Sequence, residues 1–127
     1  MTPKRAAQVQ GLVAGLDRSQ WQPAAQLAEQ QFALLAPLLQ HARATTAYYA
    51  AHWGGAYHPG AAPGAGALAR LPLLARRELQ EHYEEICSRA VPAAHGRVAE
   101  GRTSGSSGMP VRVRRTTQGA LRWAAIT

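Results

Sequence analysis

A glycine- and proline-rich stretch, residues 54–66, most constrains the fold of this 127-residue chain. It contains five glycines and two prolines, and such a density of residues that interrupt both helices and strands prevents regular structure of any length. We therefore expect three parts: an N-terminal helical segment over 1–53, a Gly/Pro-rich loop over 54–69, and a C-terminal part over 70–127.

The N-terminal segment has the periodicity of helices. A short polar helix is predicted from Ala6 to Leu16. From Ala24 to about His52, apolar side chains recur at steps of three and four residues, which predicts an amphipathic helix. Pro37 lies inside it and is expected to kink or divide it, because proline lacks an N–H and its ring clashes with the preceding turn.

A further helix is predicted from Arg76 to Arg89, with apolar residues facing inward and acidic residues facing outward. The inward positions are Leu79, Tyr83 and Ile86. The outward positions are Glu78, Glu81, Glu84 and Glu85. Carboxylates on an outward helical face are interpreted as a solvated stripe rather than as a catalytic acid/base pair.

The C-terminal part is expected to contain strands. Val91 to Gly101 is predicted to be an extended connection or short strand, and Val111 to Arg115 a strand, because Val and Arg alternate there. Thr116 and Thr117 offer an N-cap for a helix over Gln118 to Ile126. The predicted fold class is α/β, as an α+β fragment in which N-terminal helices precede a strand, a Gly/Ser loop, a strand and a helix.

Thr103 to Pro110, Thr-Ser-Gly-Ser-Ser-Gly-Met-Pro, is a loop rich in hydroxyls and glycines. Glycine allows backbone N–H groups to converge on an anion, and Ser and Thr add donors without bulk. The P-loop is excluded, because Gly108 is followed by Met and Pro instead of Lys and Ser or Thr. The dinucleotide fingerprint is also excluded, because Thr103 stands where its first glycine belongs.

This loop resembles the phosphate loop of the adenylate-forming (AMP-binding) enzymes, Thr-Ser-Gly-[Ser/Thr]-[Ser/Thr]-Gly-x-Pro, and fills every fixed position. The preceding sequence is similar to the phenylacetate–CoA ligase branch. It contains Leu-Pro-Leu-Leu-Ala-Arg-Arg-Glu-Leu-Gln from Leu71, then Val91-Pro92 and His95-Gly96. Many relatives carry lysine where this chain has Met109, so one positive charge of the family pattern is missing.

The resemblance implies an ATP-dependent ligase that activates a small carboxylic acid as an acyl-adenylate and then transfers the acyl group to coenzyme A. Mg²⁺ would arrive with ATP. The adenine pocket and the C-terminal lysine of such enzymes lie downstream of the loop, so we expect an N-terminal fragment with negligible turnover by itself and assign it no catalytic residue. The residues implied to wrap the β- and γ-phosphates are Thr103, Ser104, Gly105, Ser106, Ser107 and Gly108.

The alternative is a stand-alone basic helical module that binds a polyanion without catalysis. The net charge is +7, and thirteen of the fourteen basic residues are arginine. In this interpretation the Ser/Gly run is a flexible linker, and Arg112, Arg114 and Arg115 contact the polyanion. The order of the family segments favours the ligase, and a nucleic-acid partner is not expected.

The remaining residue types predict little chemistry. Cys87 is the single cysteine and is interpreted as a packed thiol with no internal disulfide. No signal peptide or membrane span is predicted, which favours the cytoplasm.

No metal site is predicted, because the five histidines lack ligand spacing: His41, His52, His58, His82 and His95. Three tryptophans are interpreted as packing residues: Trp21, Trp53 and Trp123.

Overall fold

The structure is a computed structural model that describes residues 2–60, 64–104 and 110–127. Within these ranges the chain is rich in helix and has one small antiparallel sheet, which confirms the α+β class. The helices are α1 (Pro3–Ser19), α2 (Ala24–Thr45), α3 (Ala47–His52), α4 (Ala65–Ala69), α5 (Arg76–Glu81), α6 (Tyr83–Ile86) and α7 (Thr117–Ile126). The strands are β1 (Val98–Arg102) and β2 (Arg112–Thr116).

The long helix predicted over 24–52 is interrupted at Thr46 and not at Pro37. Pro37 lies inside α2, which continues to Thr45. Thr46 is extended, with φ −116° and ψ 130°, and its hydroxyl donates to the carbonyl of Ala42 at 2.7 Å. The same oxygen accepts the N–H of Tyr49 at 3.4 Å, so one buried threonine ends α2 and caps α3.

The helix predicted over 76–89 is also divided, because His82 leaves the helical region at φ −108° and ψ 26°. It ends early as well: α6 stops at Ile86, and the N–H of Arg89 donates instead to the carbonyl of Thr45 at 2.9 Å. That long-range bond ties the end of α6 to the end of α2.

Aromatic side chains form much of the small core. Tyr48, Trp53 and Tyr83 are buried, together with Leu39 on α2. The ring of Tyr49 stacks on Trp53 with centroids 4.6 Å apart. The burial of Trp53 therefore confirms that it is a packing residue. The interpretation is wrong for Trp21 and Trp123, which are 82% and 54% exposed.

Two of the glutamates predicted as a solvated stripe have long-range partners. Glu78 accepts the hydroxyl of Tyr48, and Glu84 pairs with arginines on β2. Within the described ranges, Glu81 and Glu85 form local ion pairs, with Arg77 and His82 respectively. The prediction of a solvated stripe is therefore only partly confirmed. The helical pattern reveals which face is polar, but it does not reveal which distant residues contact that face.

The Gly/Pro-rich stretch holds only short regular elements. A single 3₁₀ turn covers Gly54–Ala56, and α4 begins at Ala65. Gly54 and Gly60 have φ of 42° and 85°, which a side chain would strain. Residues 61–63 lie outside the described ranges.

Across the described ranges, no helix combines the length and the apolar character needed to cross a bilayer.

Candidate functional site

The ends of the candidate phosphate loop are joined by two hydrogen bonds. The N–H of Thr103 donates to the carbonyl of Val111 at 2.9 Å, and the N–H of Val111 donates to Thr103 Oγ1 at 3.0 Å. Thr103 and Ser104 are exposed. The other predicted phosphate-binding residues lie outside the described ranges: Gly105, Ser106, Ser107 and Gly108.

The loop connects two antiparallel strands in register. Arg102 pairs with Arg112 beside the loop, and Val98 pairs with Thr116 at the far end. Thr116 Oγ1 then accepts the N–H of Gly119 at 3.0 Å and caps α7. The predicted order of strand, loop, strand and helix is confirmed, and so is the threonine cap.

One face of this hairpin is held to α6 by a network of charges around Tyr83. The guanidinium of Arg112 lies 3.8 Å from the centre of the Tyr83 ring, and that of Arg114 lies 5.4 Å away. Arg112 donates two hydrogen bonds to Glu100, at 3.0 and 3.1 Å. Arg114 donates to Glu84 at 3.0 Å. Two arginines of the polyanion alternative are thus already bound to carboxylates.

Electrostatics favour a structural role for this network. Arg112, and then the Tyr83 hydroxyl, hold the pKa of the Glu100 carboxyl below its ordinary value. Burial, followed by the hydrogen bond to Glu100, raises the pKa of Tyr83. Glu100 therefore stays ionised and Tyr83 stays neutral near pH 7, so neither is poised to exchange a proton there.

A second, partly buried contact joins α3 to α5. The Tyr48 hydroxyl donates to Glu78 Oε1 at 2.8 Å, and the N–H of Ala75 donates to Glu78 Oε2 at 2.7 Å. The tyrosine ring stacks on His52 with centroids 3.9 Å apart. Glu78 is the third residue of α5, a position at which glutamate commonly caps a helix. Sequence could have indicated that cap, but not its tyrosine partner.

An open apolar cavity of about 870 Å³ lies between α2, α6 and the hairpin. Cys87 lies at its wall and is partly buried, in keeping with the interpretation as a packed thiol. The sequence did not reveal this cavity, because its walls come from four distant segments. Its apolar lining includes Leu38, Leu79, Tyr83, Ile86, Val91 and Val98.

Ser88 and His41 meet at the edge of this cavity without forming a nucleophilic pair. Ser88 Oγ lies 3.4 Å from His41 Nε2, which is long for an O–H hydrogen bond. Better acceptors lie closer, since Thr45 Oγ1 is at 2.9 Å and the carbonyl of Ala90 at 2.8 Å. The single hydroxyl proton is therefore directed away from the imidazole.

The described residues contain no group of three or more His, Cys, Asp or Glu side chains that could hold a metal ion. In comparisons with known proteins, no protein-family model, curated protein or solved structure matches this chain. Function must therefore be inferred from its own residues and geometry.

Proposed function

We propose that this chain supplies the phosphate-binding loop of an ATP-dependent ligase that activates a carboxylic acid as an acyl-adenylate and passes it to coenzyme A. The observation that carries the proposal is the complete Thr-Ser-Gly-Ser-Ser-Gly-Met-Pro pattern of residues 103–110. Its resemblance to the adenylate-forming enzymes of the phenylacetate–CoA ligase branch indicates which reaction the loop would serve.

The position of the loop supports phosphate binding over a linker role. A linker joins parts that are otherwise separate, whereas this loop returns the chain between two paired strands. The bonds between Thr103 and Val111 fix its two ends. The described ends of the loop thus bring Thr103 and Ser104 to one end of the hairpin, where their hydroxyls can act on the same anion.

In this proposal the loop binds the β- and γ-phosphates and stabilises the negative charge of departing pyrophosphate. Thr103 already accepts a hydrogen bond from Val111, and its own O–H remains available to donate. Ser104 is exposed beside it. Hydrogen bonds to charged oxygens are among the stronger ones in proteins, so several donors could compensate the phosphate charge. Mg²⁺ would come with ATP and contribute charge neutralisation.

Titration calorimetry of the chain with MgATP and with magnesium pyrophosphate tests the loop. We expect both to bind. The triple variant Ser104→Ala, Ser106→Ala, Ser107→Ala should bind at least about tenfold more weakly, because each hydrogen bond to a charged group contributes about 1.5–3 kcal/mol. Ser19→Ala is the matched control, since that hydroxyl donates to the carbonyl of Leu16 at the end of α1, far along the chain from the loop.

Equal affinity of the triple variant and the wild type for both compounds would overturn the proposal, provided that circular dichroism shows both to be folded. Salt-sensitive binding of nucleic acid without any response to ATP or pyrophosphate would favour the polyanion module instead. ATP–pyrophosphate exchange that depends on a carboxylic acid would contradict only the expectation of negligible turnover by this chain alone.

A further inference from the structure

A second cavity, of about 690 Å³, lies between the hairpin, α7 and α1. Unlike the apolar cavity beside α6, it is lined by four arginines from three separate parts of the chain. These are Arg5 on α1, Arg97 before β1, Arg102 at the end of β1 and Arg115 on β2. All four arginines are exposed, so a ligand in the cavity could contact them.

In the described part of the chain these four arginines form no close ion pairs, and Arg102 acts on the nearby Glu100 only through its charge, which helps to lower the pKa of that carboxyl. None of them makes an ion pair within 4.0 Å with a described carboxylate. Among the residues lining the cavity, Glu100 is the acidic one. Its carboxylate is already bound by Arg112 and by the hydroxyl of Tyr83. The residues lining the cavity therefore carry a net positive charge, which attracts anions.

Other groups at the cavity also favour an anion. Helix α7 begins there at Thr117, and the N-terminus of a helix carries a partial positive charge. Thr103 Oγ1 and Thr116 Oγ1 each accept a backbone N–H, which leaves their O–H groups able to donate. Arg115 lies over the ring of Trp123, 5.1 Å from its centre, which restrains that guanidinium.

We propose that this basic cavity, lined by Arg5, Arg97, Arg102 and Arg115, binds the polyphosphate group of a small molecule. Guanidinium groups match phosphate oxygens in geometry as well as charge. The volume is that of a small-molecule site, and the arginines surround one concavity instead of lining an extended track for a nucleic-acid backbone. The site uses residues other than the loop serines and does not depend on the proposed ligase activity.

Calorimetric titration with inorganic tripolyphosphate at low ionic strength tests the cavity. The double variant Arg97→Gln, Arg115→Gln should bind about tenfold more weakly or worse, because two charged hydrogen-bond donors are lost. The matched control Arg18→Gln, Arg70→Gln removes the same net charge from exposed arginines outside the cavity. It should change the affinity less than about twofold, as expected for distant charges screened by solvent.

A charge-preserving variant separates binding from folding. Arg97→Lys, Arg115→Lys should retain more affinity than the glutamine double variant, and circular dichroism should show all variants folded. The proposal is overturned if tripolyphosphate does not bind, or if the cavity and control double variants weaken binding equally. It is also overturned if an oligonucleotide binds and tripolyphosphate cannot displace it.

The loop variant Ser104→Ala, Ser106→Ala, Ser107→Ala distinguishes this proposal from the proposed ligase function. We expect arginine-dependent binding of tripolyphosphate to survive in it. Loss of all binding in the loop variant, with no effect of the cavity double variant, would assign the phosphate to the loop and overturn the cavity site. Either proposal can therefore fail while the other holds.

Discussion

At the scale of single residues, the hydrogen bond between Tyr48 and Glu78 makes stability depend on pH in both acid and alkali. The N–H of Ala75 and the hydroxyl of Tyr48 hold the pKa of Glu78 below its ordinary value. The same bond, with burial and the charge of Glu78, raises the pKa of Tyr48 to about 12. The folded chain thus favours an ionised Glu78 and a neutral Tyr48.

We predict that this contact loses its stabilising effect in both acid and alkali. A lowered carboxyl pKa contributes stability above its unfolded value of 4.5, and that contribution is lost as the pH falls through the folded pKa. A raised tyrosine pKa contributes stability that is complete below pH 10.0 and is lost as the pH rises towards about 12. Urea denaturation at a series of acid, neutral and alkaline pH values measures both the contribution of Glu78 and that of Tyr48.

Variants at the two partners separate the acid and alkaline effects. Tyr48→Phe should reduce the alkaline loss of stability but not abolish it, because the pKa values of Tyr49 and Tyr83 are also raised. It should keep part of the acid loss, because the N–H of Ala75 still binds Glu78. Glu78→Gln should diminish both the acid and the alkaline loss of stability, and it should leave the acid contribution of Glu100 in place. Glu81→Gln is the matched control on the same helix, since the ion pair of Glu81 among the described residues is the local one with Arg77. An unchanged pH profile in Glu78→Gln would contradict the assignment.

At the scale of secondary-structure elements, threonines decide where helices begin and end. The cap at Thr116 was predictable, because it follows an alternating strand and precedes an apolar helical pattern. Thr46 lies within a continuous helical pattern, so its role was not predictable. Its extended conformation lets α3 turn away from α2 and bury Tyr48 against α6, a preference that only tertiary packing supplies.

We predict that Thr46→Val, which keeps the shape but removes the hydroxyl, lowers the free energy of unfolding by about 1–2 kcal/mol. The N–H of Tyr49 would lose its acceptor, and the carbonyl of Ala42 would lose one donor. Thr46→Ser keeps the capping oxygen and should cost less. Urea denaturation followed by circular dichroism compares the two variants, and equal losses would show that packing of the methyl group matters more than the cap.

At the scale of the whole molecule, the fold is open. Its accessible surface is 9259 Å², whereas a compact monomer of this mass exposes roughly 6,600 Å². Large apolar side chains remain at the surface, Leu73 at 93% and Trp21 at 82% exposure. The buried core is correspondingly small, so each of its members should carry a large share of the stability.

We predict contrasting effects of two chemically identical substitutions. Leu39→Ala should lower the free energy of unfolding by about 2–5 kcal/mol, because this side chain is 8% exposed and its removal leaves a cavity. Leu73→Ala should change it by less than about 0.5 kcal/mol, because that side chain is already in water. Denaturation of both variants under one condition checks the contrast, and similar losses would contradict the assigned core.

The sequence by itself determined the α+β class, the strand, loop, strand and helix order, and the cap at Thr116, because these depend on neighbours close along the chain. Its resemblance to a phosphate loop likewise comes from eight consecutive residues, 103–110. Only the tertiary structure decided that Glu78 bonds to Tyr48, that Arg112 and Arg114 are engaged at Tyr83, and that four other arginines surround one cavity. Charges distant along the chain interact only after folding brings them together, so local patterns reveal their presence but not their partners.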